Sequence, residues 1–87
     1  SSKSSMHNNW FDLKKAVHYL KLGAEAGDDY AQKNYGDLFL EGISIQVGSH
    51  KEETLVPKDI KQAKYWWKKA AMQGNEVAKE RLQKIYE

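Results

Sequence analysis

Ala63-Lys64-Tyr65-Trp66-Trp67-Lys68-Lys69-Ala70-Ala71-Met72-Gln73-Gly74 is the stretch that decides how this chain folds. Alanines recur at helical spacing around Trp67, and Gly74 supplies the left-handed residue that ends a helix. The spacing predicts a helix from about Asp59 to Gln73, with Pro57 just ahead of it. Its inner stripe is Ile60, Ala63, Trp67, Ala70 and Ala71, with Trp66 on the flank. Lys61, Tyr65, Lys68 and Met72 project outward.

Forty-seven residues earlier the same signs appear. Asp12, Lys14, Ala16, Lys21, Ala24, Gly27 and Ala31 return as Asp59, Lys61, Ala63, Lys68, Ala71, Gly74 and Ala78. Leu20 answers Trp67, Tyr35 answers Leu82, Leu38 answers Ile85 and Phe39 answers Tyr86. Self-similarity at a fixed period marks a repeat architecture, in which one helical unit stacks on the next. A first helix is therefore expected from about Asp12, as N-cap, to Ala26, with Leu13, Ala16, Leu20, Gly23, Ala24 and Gly27 on one stripe. A second follows from Asp28 or Asp29 to Glu41, with Ala31, Tyr35, Leu38, Phe39 and Gly42 inward. A fourth starts near Asn75-Glu76 and turns Ala78, Leu82, Ile85 and Tyr86 inward. The short links make each pair an antiparallel hairpin.

These residues resemble the Sel-one-like repeat, a relative of the tetratricopeptide repeat. The match rests on the quoted stretch, on Ala31-Gln-Lys-Asn-Tyr35-Gly36-Asp-Leu38-Phe39-Leu40-Glu-Gly42, and on Asp12 and Asp59 ahead of each first helix. It covers roughly Asp12 to Glu87. Gly23 departs from the pattern in the first repeat and Gln83 in the second, where a glycine is usual. The second departure suggests that this repeat closes the array. The resemblance implies an all-α fold, an alpha-alpha superhelix of tetratricopeptide-like solenoid type. Its divisions are a tail or linker over 1–9, a first hairpin over 10–42, an inserted loop over 43–58 and a second hairpin over 59–87. Within the insertion, Ile43, Ile45 and Val47 alternate with polar residues as in a short extended stretch, and Ser49 to Thr54 reads as a solvated tip. Two repeats are fewer than the three usually needed, so Trp10 and Phe11 are expected to cap the open end, or the chain to lean on a neighbour.

Composition bounds the function. The 87 residues make one small domain, 40% hydrophobic and 30% charged, as in a soluble, helix-rich protein. Residues 1–43 carry five Lys against six Asp or Glu, and residues 44–87 carry nine Lys or Arg against six, a mild basic excess that points to an acidic partner. No cysteine is present, so disulfides, thiol catalysis and cysteine-based zinc sites are out. No apolar run suits a membrane span, and no signal-peptide core is visible. The compartment is not specified by these features.

Three histidines, His7, His18 and His50, fall in a tail, on a helix face and in a loop, without metal-ligand spacing. Glu52 and Glu53 sit side by side in a polar segment, which reads as loop solvation rather than a carboxylate pair for acid–base work. No phosphate loop, nucleophile elbow or dinucleotide fingerprint appears. The reading is of no enzyme, no cofactor and no metal. Family members act as adaptors, so the resemblance implies a protein-interaction module, with first helices lining a concave face. Lys14, His18 and Lys21 from the first helix and Lys61, Tyr65 and Lys68 from the third are the candidate partner-binding residues, suited to an acidic or amphipathic peptide. The alternative is a basic helix face, Lys58 to Lys69, on nucleic acid or an anionic membrane surface. With Trp67 turned inward the aromatics form no stacking platform, which disfavours nucleic acid. Self-association or further repeats are also open.

Overall fold

A computed structural model describes residues 10–85. The expectations for residues 1–9 and for Tyr86, and any capping by the Trp10 side chain, lie outside the described residues. The element order is α1 (Trp10–Glu25), α2 (Asp29–Glu41), β1 (Ile43–Gln46), β2 (Glu52–Val56), α3 (Ile60–Met72) and α4 (Glu76–Lys84).

The period seen in the sequence reappears in the way the helices end. Gly27, at φ 100°, closes α1 with its N–H on the Ala24 carbonyl and the Asp28 N–H on Gly23. Gly74, at φ 98°, closes α3 in the same way, its N–H on Ala71 and that of Asn75 on Ala70. This paired pattern is a Schellman cap, and the positive φ is what requires glycine. The next residue caps the following helix each time: the Asp28 carboxylate accepts from Tyr30 N–H, and the Asn75 carboxamide oxygen accepts from Ala78 N–H. Asp59 caps α3 by accepting from Lys61 and Gln62 N–H groups. Its counterpart Asp12 does not cap. Helix α1 runs a turn further back, because Trp10 and Phe11 present no break, and Asp12 sits in the first turn near the positive dipole end.

The densest packing joins α2 to α3. Trp67, Ala63 and Ala70 are fully buried there, with Ala31 and Phe39 from α2. A Cβ on Gly36 would lie 2.7 Å from the Trp67 ring, so only glycine lets the indole seat itself. The ring nitrogen then donates to the Lys33 carbonyl at 3.2 Å and to Asp37 Oδ1 at 3.1 Å. Trp66 is a correction to the flank assignment. It is buried, because the α2 face is wide enough to cover both indoles, and its ring meets Tyr35 edge-on at 5.3 Å. Ile60 and Ala71 are corrected the other way. Ile60 opens α3 and is 37% exposed, and Ala71 is only partly covered.

Helix α1 is less fully covered than α3. Ala24 is buried, and Val17 and Leu20 pack against the core, but Ala16, expected inward, is exposed. Phe11, expected to cap the open end, is 58% exposed, with the Lys15 ammonium 5.9 Å from its ring centre.

The stretch expected as an inserted loop is a β-hairpin, so the fold is helical with one small antiparallel sheet. Ile45 pairs with Glu53 and Gln46 with Glu52, and the register shifts between Ile43 and Ser44. Residues 47–51 form the turn, closed by Val47 N–H on the Lys51 carbonyl. Glu52-Glu53-Thr54 reads as loop by composition, yet a two-stranded ribbon on the surface leaves one face wet and needs few apolar residues there. The hairpin leaves and rejoins the helices at nearly one point. A Cβ on Gly42 would stand 3.0 Å from both Val56 O and Lys58 N, and the Asp59 N–H bonds the Phe39 carbonyl at 2.9 Å.

Candidate functional site

The six candidate residues do not share one pocket. Lys14, His18 and Lys21 line a shallow cleft on α1 together with Val17 and with Leu55 of β2. The Lys14 ammonium also stands 3.5 Å from the Glu53 carboxylate, so the hairpin lies against the face that sequence reasoning left open to a partner. Its interaction is a half-exposed ion pair, which contributes at most about 1 kcal/mol.

Tyr65 belongs to a second cleft, between the end of α1 and α3. This one is lined by Ala24, Glu25, Ala26 and Gly27 on one side and by Tyr65, Trp66 and Lys69 on the other, with Gln32 at its floor. Tyr65 is half exposed and stacks edge-on against Trp66 at 5.0 Å, while the Lys69 ammonium sits 5.4 Å from the tyrosine ring centre. From Tyr65 the rings continue inward through Trp66 and Tyr35 to Phe39, at centroid spacings of 5.0 and 5.3 Å and then 5.0 Å. Burial, with Glu25 adding to it, pushes the Tyr35 hydroxyl above its ordinary pKa. The Trp66 Nε1 is buried and has no hydrogen-bond partner among the described residues. Lys61 and Lys68 are exposed on α3 and line neither cleft.

A carboxamide relay fixes the floor of the second cleft. Gln32, only 2% exposed, donates from Nε2 to the Ala24 carbonyl, and its Oε1 accepts from Gln73 Nε2 at 2.9 Å. Gln73 Nε2 also donates to the Gly27 carbonyl, and Asn75 Nδ2 donates to Asp29. The turn after α3 is thus tied to the turn after α1. A second hub is Asp37, which accepts from Trp67 and from Arg81 Nε at 2.8 Å and Nη2 at 3.2 Å, with Lys33 3.6 Å away. Sequence reasoning missed Lys69, Glu25 and Leu55 as lining groups and missed both hubs. Position Lys69 was readable as helical neighbour of Tyr65, but the hubs join residues with no local signal.

His18 and His50 are exposed and far from any ligand set. No cluster of His, Cys, Asp or Glu able to hold a metal occurs among the described residues, and no helix there is long and apolar enough to cross a membrane.

Two capped helical pairs with a forty-seven-residue echo, joined through a tryptophan seated in a glycine notch, define a helical-repeat protein. The chain matches the Sel1 repeat over residues 12–28 and 29–75, and it belongs to that family. The second matched segment runs α2, hairpin, α3, so the family's unit straddles the best-packed seam of the molecule. No curated protein and no solved structure matches the chain. Sel1 repeats generally mediate protein–protein interaction and are typically not enzymes.

Proposed function

We propose that this chain is a short tetratricopeptide-like solenoid that acts as an adaptor, holding a segment of a partner protein on the face shared by α1 and α3. The observation that carries the reading is the cleft in which Tyr65, Trp66 and Lys69 face Glu25 to Gly27. A half-exposed tyrosine over a buried tryptophan is the composition of an interaction hot spot. Lys61 and Lys68 flank this point on α3, and Lys14, His18 and Lys21 extend the face along α1, which favours an acidic segment.

The test is a selection of short random peptides on the wild-type chain, repeated on Tyr65→Ala combined with Lys68→Glu. Enrichment of acidic sequences that the variant no longer retains, with helicity unchanged by circular dichroism, supports the reading. The same peptides held equally by both proteins would remove the cleft as the site. A salt titration addresses the basic-face alternative: a steep linear fall of log affinity with log salt marks a polyanion ligand.

A further inference from the structure

The face of α1 that meets the hairpin carries Lys14, His18 and Lys21, at successive spacings of four and three residues, with Val17 between them. Leu55 of β2 closes the other side, which leaves a cleft of about 260 Å³ with an apolar floor and a basic rim. That is smaller than the roughly 300–1,000 Å³ of a small-molecule pocket, so it suits one side chain of a partner better than a free ligand.

One carboxylate already stands on this rim. Glu53 Oε2 lies 3.5 Å from Lys14 Nζ, and the two side chains stay 39% and 42% exposed, so water reaches both ends of the pair. Glu52 points to the opposite side of the ribbon, because successive strand side chains alternate, and it makes no ion pair among the described residues. Among the same residues no carboxylate pairs with Lys21. The same holds for Lys61 and Lys68, which stand in α3 where Lys14 and Lys21 stand in α1. Glu53 thus displays the chemistry that the face accepts, and it fills only one of the places open to it.

We propose that Glu53 is a built-in competitor for the partner. An acidic protein segment docks by taking the place of Glu53 at Lys14, laying an apolar side chain on Val17 and Leu55, and setting a second carboxylate at Lys21. This rests on the reading that α1 and α3 share a face for a partner protein, and it adds the chemistry of the segment and the contact that restrains it. Lys14 and Lys21 are two helical turns apart, about 10.5 Å along the axis. Acid, apolar and acid at alternate positions of an extended segment span about 13 Å on one side, a length that two flexible lysine arms can meet. The exchange is favourable because an exposed ion pair is weakly held, whereas the segment adds an apolar contact and a second pair that Glu53 alone does not make.

The experiment is a fluorescence anisotropy titration of the full chain with the labelled, end-blocked peptide Ser-Glu-Ser-Leu-Ser-Glu-Ser. It is run at about 0.15 M salt, where distant charges are screened, with circular dichroism as the check on folding. Glu53→Gln should bind the peptide about two- to fivefold more tightly than wild type, the effect of one exposed ion pair removed from competition. Glu52→Gln makes the same change in net charge on the other side of the ribbon and should stay near wild type. Lys21→Glu should weaken binding about tenfold, and serine in place of the peptide's leucine about fivefold. Equal tightening by Glu53→Gln and Glu52→Gln would mark a diffuse charge effect and overturn the proposal, as would a peptide that neither wild type nor Glu53→Gln retains. Binding lost in Tyr65→Ala but indifferent to Glu53→Gln and Lys21→Glu would also overturn it, while leaving the Tyr65 cleft standing as the partner site.

Discussion

The seam between α2 and α3 and the contact between the hairpin and α1 are both tertiary contacts, but they are built from different materials. The first uses a fully buried indole, a glycine with no room for a methyl group, and hydrogen bonds that leave the Trp67 nitrogen satisfied. The second uses a half-exposed lysine–glutamate pair and the edge of Leu55. Burial of large apolar surface carries stability, whereas exposed ion pairs carry little. The seam is therefore where the fold is held. The hairpin touches α1 lightly, but its base is anchored in the core by Val56, 3% exposed, with Ile43 and Leu55 packed beside it.

Four changes would break or sharpen that contrast, the strongest first. Trp67→Ala empties the centre of the seam and should cost roughly 3–5 kcal/mol by urea denaturation, enough to unfold most of a domain this small. Gly36→Ala adds one methyl group against a ring that cannot move aside, and should cost about 1–3 kcal/mol with the hairpin undisturbed. A neutral Gly36→Ala would mean that the seam is looser than its geometry. Alkaline pH probes the edge of the seam more gently. Tyr35 has its pKa raised in the folded chain, by burial first and Glu25 second. Its contribution is fully present below the ordinary tyrosine value of about 10 and is lost as pH climbs through the raised value. The denaturation midpoint should fall in that window for wild type and fall less for Tyr35→Phe. Smallest of all, deleting Ser44–Thr54 should shift stability by no more than about 1 kcal/mol, since loop closure depends weakly on length. A larger loss would show that the hairpin supports the helices.

Much of this architecture was readable before any coordinates. Gly27 and Gly74 announced the helix ends because only glycine sits comfortably at positive φ, and the small-residue stripe announced Trp67 as the inner ring. Trp66 was misjudged because one helix projection cannot tell how wide the covering face is. Tyr35 on α2 decides that, and it lies thirty-one residues away in sequence. Strand β2 was illegible because Glu52-Glu53-Thr54 gains its order from pairing with β1, not from its own composition. The candidate site divided for the same reason: Lys14, His18 and Lys21 share a helix face with nothing to warn that Leu55 comes to rest on it. The Gln32–Gln73 bridge spans forty-one residues and had no local sign.

The Asp37 carboxylate has a bearing on how the molecule comes apart. One side chain on α2 receives a proton donor from α3 and another from α4. Arrays of this kind can unzip from an end, one module at a time. Here α4 shares with the central indole the one carboxylate that both of them meet on α2, and Ala78, fully buried, ties the same helix into the core. Thermolysin digestion or amide exchange should therefore find a single protection plateau running from α2 through α4, with α1 as the first part to fray.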